Sequence, residues 1–395
     1  MKHSRDVTLI AAAVYFVQGA IGISGIAFPI FLRSLNWSVA EITAMTSVAA
    51  FPWVFKILLG LVSDACPLFG YRRKSYLMLC SLISALGWFY LVAFPAEKSW
   101  IFLGLLLSNL GFAATDVITD GLIVEHSTLL TSHIYQAIAW GFRSFGAVVS
   151  GAAGGWLAAH WHPRHIFLLT MALPLIIFFS AIWIRERKVS ELPFRSALIP
   201  AKRCLKLLWN ENLRGFALIL LFVSISASFG MPFFFFMKET LGFHETFLGL
   251  LMSLGWGGAM IGSFVYAKWL RKFPPKLILR WALFLNSINI FTTLLITDRL
   301  TAFLIIFAGG VMGCLVMLPI MSAAACLTHN SGVEGTLFAV LMSIFNLGQI
   351  VFGFLGGKIF SLIGLYPLIL SSGFIALAGL FVVQKLSLEK PSDEV

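Results

Sequence analysis

Charge is what this chain has least of. Only 11% of its 395 residues are Asp, Glu, Lys or Arg, against roughly 25% in soluble proteins. Acidic residues are the scarcest part, 17 against 28 basic ones. With 59% hydrophobic residues and a mean hydropathy of +0.93, the composition excludes a soluble globule and predicts an integral membrane protein. The net charge of +11 does not indicate nucleic acid, because the basic residues fall in short runs between apolar segments. The five cysteines (Cys66, Cys80, Cys204, Cys314, Cys326) are odd in number and include no C-x-x-C pair, so neither a disulfide framework nor a zinc site is expected. Missing too are H-E-x-x-H, G-x-S-x-G and the phosphate loop G-x-x-x-x-G-K-[ST]; Gly357-Lys358 is followed by Ile359. Those gaps argue against a membrane enzyme or a nucleotide-driven pump, leaving a polytopic enzyme or a signalling protein as remote alternatives, and no cofactor is expected. His160, His162 and His165 share one loop without a carboxylate, which is weak grounds for a metal.

What the chain does have is apolar length. Twelve segments of about 20 residues or more, from Val7–Leu32 to Gly364–Gln384, are long enough to cross a bilayer. The first is too long for a signal h-region and lacks a small-residue cleavage site, so it reads as a spanning helix. Placing the N-terminus inside leaves only Arg33, Lys98, Arg164, Lys238 and Arg299 in outer loops and puts the basic clusters on the cytoplasmic side. Both termini are therefore expected to be cytoplasmic, in a cell inner (plasma) membrane.

Residues 185–214 are polar and basic, contain Pro193 and Pro200, and separate six segments (1–184) from six (215–395). Six plus six with a basic central linker is the layout of the major facilitator superfamily, whose two halves rock around a midplane site. The expected fold is thus all-α, twelve transmembrane helices in two six-helix halves, with a monomer as the default state.

A charge at the bilayer centre costs about 2.5 to 3.5 kcal/mol on insertion scales, so Lys56, Asp116, Asp120, Arg143 and Lys358 must pair, line water or snorkel. Asn109, Asp116 and Asp120, spaced i, i+7, i+11, share one face of the fourth segment. Counted along their helices, Asp116 and Arg143 both lie about 13 Å from the inner edge, and Lys56 and Asp120 about 8 Å. The counts predict Asp116–Arg143 and Lys56–Asp120 pairs. This charge network is the candidate for binding a coupling proton, with a static structural pair as the bland alternative. Glu125 reads as interfacial. Gln18, beside Gly19, Gly22 and Gly25, together with Asn109, Asn346 and Gln349, forms the candidate substrate-cavity lining. Gly146, Ser150 and Gly154 read as a packing ridge. The run Phe233–Phe236 reads as lipid-facing or packing rather than as a ring-stacking site.

The stretch Gly60-x-x-x-Asp64, then Gly70-x-Arg72-Arg73-Lys74, resembles the superfamily's signature loop between helices two and three. Glycines allow the turn, and the carboxylate and arginines can bond in one conformation and release in another. Gly60, Asp64, Gly70, Arg72 and Arg73 are accordingly gating candidates, and so is Glu334 at the start of segment eleven, where capping is the simpler role.

The longer spelling is more specific. Pro52-Trp53, Lys56, Gly60, Ser63-Asp64 and Gly70-Tyr71-Arg72-Arg73 resemble the folate-biopterin transporter family, as do Asp116-Val117-x-x-Asp120-Gly121-x-x-Val124-Glu125 and Gly332-x-Glu334-Gly335-Thr336-Leu337-Phe338-Ala339 with Ser343 and Asn346. Ile57 stands where that family often has proline. The resemblance implies a secondary carrier for a small organic solute, a folate or pterin, driven by protons. A related group of muropeptide importers shares the lysine-then-aspartate hinge and is the alternative within the superfamily.

Overall fold

A computed structural model describes residues 5–126, 132–188, 207, 209–328 and 334–386. They form twelve helical rods: α1 (Asp6–Ser34), α2 (Val39–Ala65), α3 (Lys74–Ala93), α4 (Lys98–His126), α5 (Ser132–His160), α6 (Pro163–Ile182), α7 (Glu211–Thr240), α8 (Glu245–Lys268), α9 (Pro275–Leu295), α10 (Arg299–Thr328), α11 (Glu334–Ile363) and α12 (Leu365–Lys385). Eleven are long and apolar enough to cross a membrane by themselves. The other, α5, carries Arg143, three serines and five glycines, and its sequence is tuned for packing more than for hydropathy.

Three rods are interrupted, α1, α2 and α7, the last between Ser224 and Ala227; in the first two a proline accompanies the break. In α1 the helix tightens to a 3-10 turn at Ile21–Ser24 and restarts at Ala27. Pro29, lacking an N–H, cannot bond the carbonyl of Gly25, so the ladder is already open there. In α2, Phe51–Phe55 is 3-10 with Pro52 at its start, and the α-helix resumes at Lys56.

The described chain divides into two compact units. The first comprises Met1–Ser38, Val48–Ala197 and His244–Ser253, and the second Val39–Ser47, Leu198–Phe243 and Leu254–Val395. The units therefore follow the two sequence halves except for one short stretch of α2 and one of α8. Most of the expected linker, residues 189–206, lies outside the described residues.

Within the first unit Val14, Val17, Ile118, Leu122, Tyr135 and Ile177 form the apolar core. Its helices meet at backbone level through small residues. A Cβ on Gly19 would stand 2.0 Å from the Arg143 carbonyl oxygen, and one on Gly146 would stand 2.4 Å from that of Phe16. Ser150 Oγ donates to Gly19 O at 2.9 Å. The Gly146–Ser150–Gly154 ridge thus packs α5 onto α1. The second unit has its own core, built from Phe216, Leu220, Leu279, Leu283, Ile320 and Leu341. Large apolar side chains such as Phe89, Phe179, Phe284 and Phe374 remain exposed, the surface expected of helices solvated by lipid.

Candidate functional site

The polar stripe of α4 is the centre of the first unit's chemistry. Asp116 is 4% exposed. Its two carboxylate oxygens are both taken: Lys56 Nζ forms an ion pair with Oδ2, and Gln18 Nε2 donates to Oδ1 at 2.6 Å. One turn along, Asp120 accepts from the Tyr15 hydroxyl. Two turns the other way, Asn109 Oδ1 accepts from Trp53 Nε1 at 2.9 Å while its amide donates to Leu105 O. Lys56 Nζ also sits 4.9 Å from the Trp53 ring centre, where the ring's negative face favours a cation. Residues from α1, α2 and α4 therefore converge on one network, and the resumption of α2 at Lys56 is what delivers the ammonium to it.

These pairings differ from those counted along the helices. Lys56 pairs with Asp116 rather than Asp120, and Arg143 makes no ion pair with Asp116; its guanidinium lies 5.2 Å over the Trp140 ring instead. Residue counts give depth but not the direction a side chain leaves the helix. Arg143 still faces both aspartates electrostatically. Of the four cavity candidates, Gln18 and Asn109 belong to this network, whereas Asn346 and Gln349 lie half-buried on α11 in the second unit.

The loop between α2 and α3 is tied by Arg73, 5% exposed. Arg73 Nη2 reaches Asp64 Oδ1 and Glu125 Oε1, each at 2.6 Å, and Nη1 donates to Ser63 Oγ at 3.0 Å. One guanidinium thus joins the end of α2, the start of α3 and the end of α4. Glu125, read from the sequence as interfacial, is part of this latch. The same partners hold the Arg73 guanidinium charge more firmly than usual against the cost of burial. Gly121 leaves the space: a Cβ there would meet the guanidinium carbon at 2.8 Å. Gly70, at φ +84, makes the left-handed turn that sends the chain back. Gly60 lies against Val117 of α4, where a Cβ would come within 3.3 Å.

Glu186, just past α6, caps α3. Its carboxylate accepts from the backbone N–H of Arg72 at 2.8 Å, of Arg73 at 3.1 Å and of Lys74 at 2.8 Å, satisfying donors a helix start leaves open. The Arg72 Nε is buried without a partner. The side chain of Glu334 lies outside the described residues, although α11 does open at that position. Lys358 is exposed and lies 4.5 Å over the Phe354 ring, in keeping with snorkelling. His160, His162 and His165 border a shallow hollow with Trp161, and among the described residues no three His, Cys, Asp or Glu are placed to hold a metal ion.

Tyr15, Glu186, Ser63 and Trp53's indole were the members that residue types alone did not single out as partners. A tyrosine inside an apolar helix reads as packing, and one acid in a basic linker reads as solvated. A scarcity of acids was the available signal, since Glu186 is the only one in the Arg185–Lys188 run.

Comparison with known proteins agrees with this architecture. A model of the BT1 family matches residues 18–389. The chain is 32% identical over 393 residues to a folate-biopterin transporter of Synechocystis sp., covering 95% of this chain and 78% of that protein. It is 24% identical over 374 residues to folate transporter 2 of Plasmodium falciparum, covering 88% and 79%. Among solved structures, a POT family transporter in complex with a thioalcohol-conjugated peptide superposes with a TM-score of 0.76 at 12% identity, covering 95% and 94%. A D-xylose–proton symporter superposes with a TM-score of 0.74 at 13% identity, covering 98% and 99%. Matched along nearly its whole length, and carrying a transporter fold of the major facilitator type, this chain belongs to the BT1 family of membrane transporters.

Proposed function

We propose that this protein is a secondary transporter that moves a folate or a related pterin across a cell membrane by alternating access, coupled to protons. The observation that carries the reading is the cluster of buried Asp116 and Tyr15 with half-buried Lys56, Gln18 and Asp120. Burying that much polarity in a membrane helix bundle costs several kcal/mol, and a static core would be as well served by apolar residues. The names of the relatives, folate and folate-biopterin transporters, give the substrate class. Arg143 with Trp140, and Lys56 with Trp53, each place a cation on an aromatic face, chemistry suited to an anionic solute with a flat ring.

In this reading the Arg73 latch is a gate: its bonds to Asp64 and Glu125 hold one conformation and part in another. The bias of basic residues puts that loop and both termini on the cytoplasmic side of an inner or plasma membrane, and the working unit is a monomer. Uptake of labelled folate into proteoliposomes, with and without an inward proton gradient, tests the whole. Accumulation driven by the gradient is expected; no folate flux from correctly inserted protein would sink the substrate class and point to another solute, such as a muropeptide.

A further inference from the structure

Two aspartates stand one turn apart on the same face of α4, yet their partners differ in kind. Asp116 faces an ammonium, Lys56, and an amide N–H, Gln18. The ammonium can only donate; the Gln18 amide donates through Nε2, while its own carbonyl oxygen is buried without a partner, so the ion pair with Lys56 is what fixes the charge here. A proton added to Asp116 would remove the charge Lys56 is paired with and leave a buried lysine alone, so this site is stable as a carboxylate. Asp120 faces a hydroxyl, Tyr15. A hydroxyl both donates and accepts. It donates to Asp120 as a carboxylate and accepts from Asp120 as a carboxylic acid, so the contact survives either state.

The surrounding charges complete the contrast. Around Asp120 stand Tyr15 of α1, Asp116 of α4 itself, Lys56 of α2 and Arg143 of α5. The Lys56 ammonium is engaged by Asp116, and Arg143 rests on the Trp140 ring without an ion pair to either acid. We infer that the two carboxylates divide the work, Asp120 with Tyr15 being the group that takes up and releases the transported proton, and Asp116 with Lys56 the permanent ion pair that positions it. This rests on the proton-coupled reading above and names the site within it.

In the loading step a hydronium ion gives its proton to a carboxylate oxygen of Asp120 and leaves as water, giving a neutral carboxyl whose O–H points to the Tyr15 oxygen. Release reverses it and restores the Tyr15 donation. No other bond changes.

Infrared difference spectra of the full-length protein in lipid, recorded between neutral and acid pH, read the protonated carboxyl C=O stretch without any substrate. The band is expected in the wild type, lost in Asp120→Asn, kept in Asp116→Asn, and shifted in frequency in Tyr15→Phe, where its hydrogen-bond partner is gone. A band that persists in Asp120→Asn, or that vanishes only in Asp116→Asn, overturns the assignment. In proteoliposomes, uptake by the wild type is expected to rise several-fold as outer pH falls, Asp120→Asn to lose that rise, and Asp120→Glu to restore it. An unaltered rise in Asp120→Asn also overturns it. If the wild type moves no folate, the substrate reading fails while the infrared result still decides the proton site.

Discussion

The Arg73 guanidinium lies on the bare backbone of Gly121, one helix away, with its carbon 2.8 Å from where a Cβ would be. Three side chains already fix the far side of that group: Ser63, Asp64 and Glu125. It has nowhere to retreat without giving up a bond. Gly121→Ala is therefore expected to break the latch and spare the fold. Loss of one hydrogen bond to a charged group, about 1.5–3 kcal/mol, corresponds to roughly a tenfold change or more in the balance between gate states. Transport assays on Gly121→Ala and Arg73→Lys, with melting temperature as control, check this; wild-type flux from both variants would remove the gating role.

The buried pair makes a different demand. Lys56 and Asp116 side chains are 20% and 6% exposed, so removing one partner strands the other. Lys56→Met is expected to destabilise the protein by about 3–5 kcal/mol. Lys56→Met with Asp116→Leu should recover most of that stability, though not transport. Thermal unfolding of the single and double variants in one lipid decides it, and a double variant no more stable than the single would mean the two groups are not coupled.

Glycines on α5 separate packing from mere flexibility. Gly146 meets the Phe16 carbonyl and has no room for a methyl, while a Cβ on Gly141 meets nothing within 4 Å. Gly146→Ala should lower stability by about 1–3 kcal/mol through overpacking. Gly141→Ala should be neutral or stabilise by up to about 1 kcal/mol, as expected for a helical glycine with free space. Equal melting temperatures for the two would contradict the backbone-level contact of α1 with α5.

Asp298, in the turn before α10, gives a pH dependence with a definite sign. Its carboxylate accepts from the backbone N–H of Thr301 at 3.0 Å and of Leu300 at 2.7 Å. The Thr301 bond, followed in effect by that of Leu300, holds the carboxyl below its ordinary range. A depressed value means the cap contributes above the unfolded-state value of about 3.9 and loses its contribution as pH falls through the folded one. The stability gap between wild type and Asp298→Ala should be open at neutral pH and shrink on acidification below about pH 4. A gap that widens with acid would reverse the sign and the explanation.

The number and ends of the rods were legible because apolar length is a one-dimensional signal, and so was the polar stripe of α4, which needs only the helical period. Partnerships were not. Lys56 and Asp116 find each other through the azimuth of two helices and a 3-10 break that Pro52 hints at without measuring. Tyr15 gave no cue of its own, since a hydroxyl in an apolar helix looks the same whether it caps a carboxylate or fills a gap. The latch was half visible: Asp64 and Arg73 stood out as charges in sequence proximity, but Glu125 and Glu186 come from 52 and 113 residues away and meet Arg73 only in three dimensions.

The short 3-10 stretch in α2 also has a length. Such a turn rises about 2.0 Å per residue where an α-helix rises about 1.5 Å. Rewinding the five residues Phe51–Phe55 into regular helix would draw Lys56 along its axis by about 2.5 Å, close to the span of a hydrogen bond. The chain thus stores, immediately before its one lysine in the charge network, a stroke about as long as the contact it would need to break.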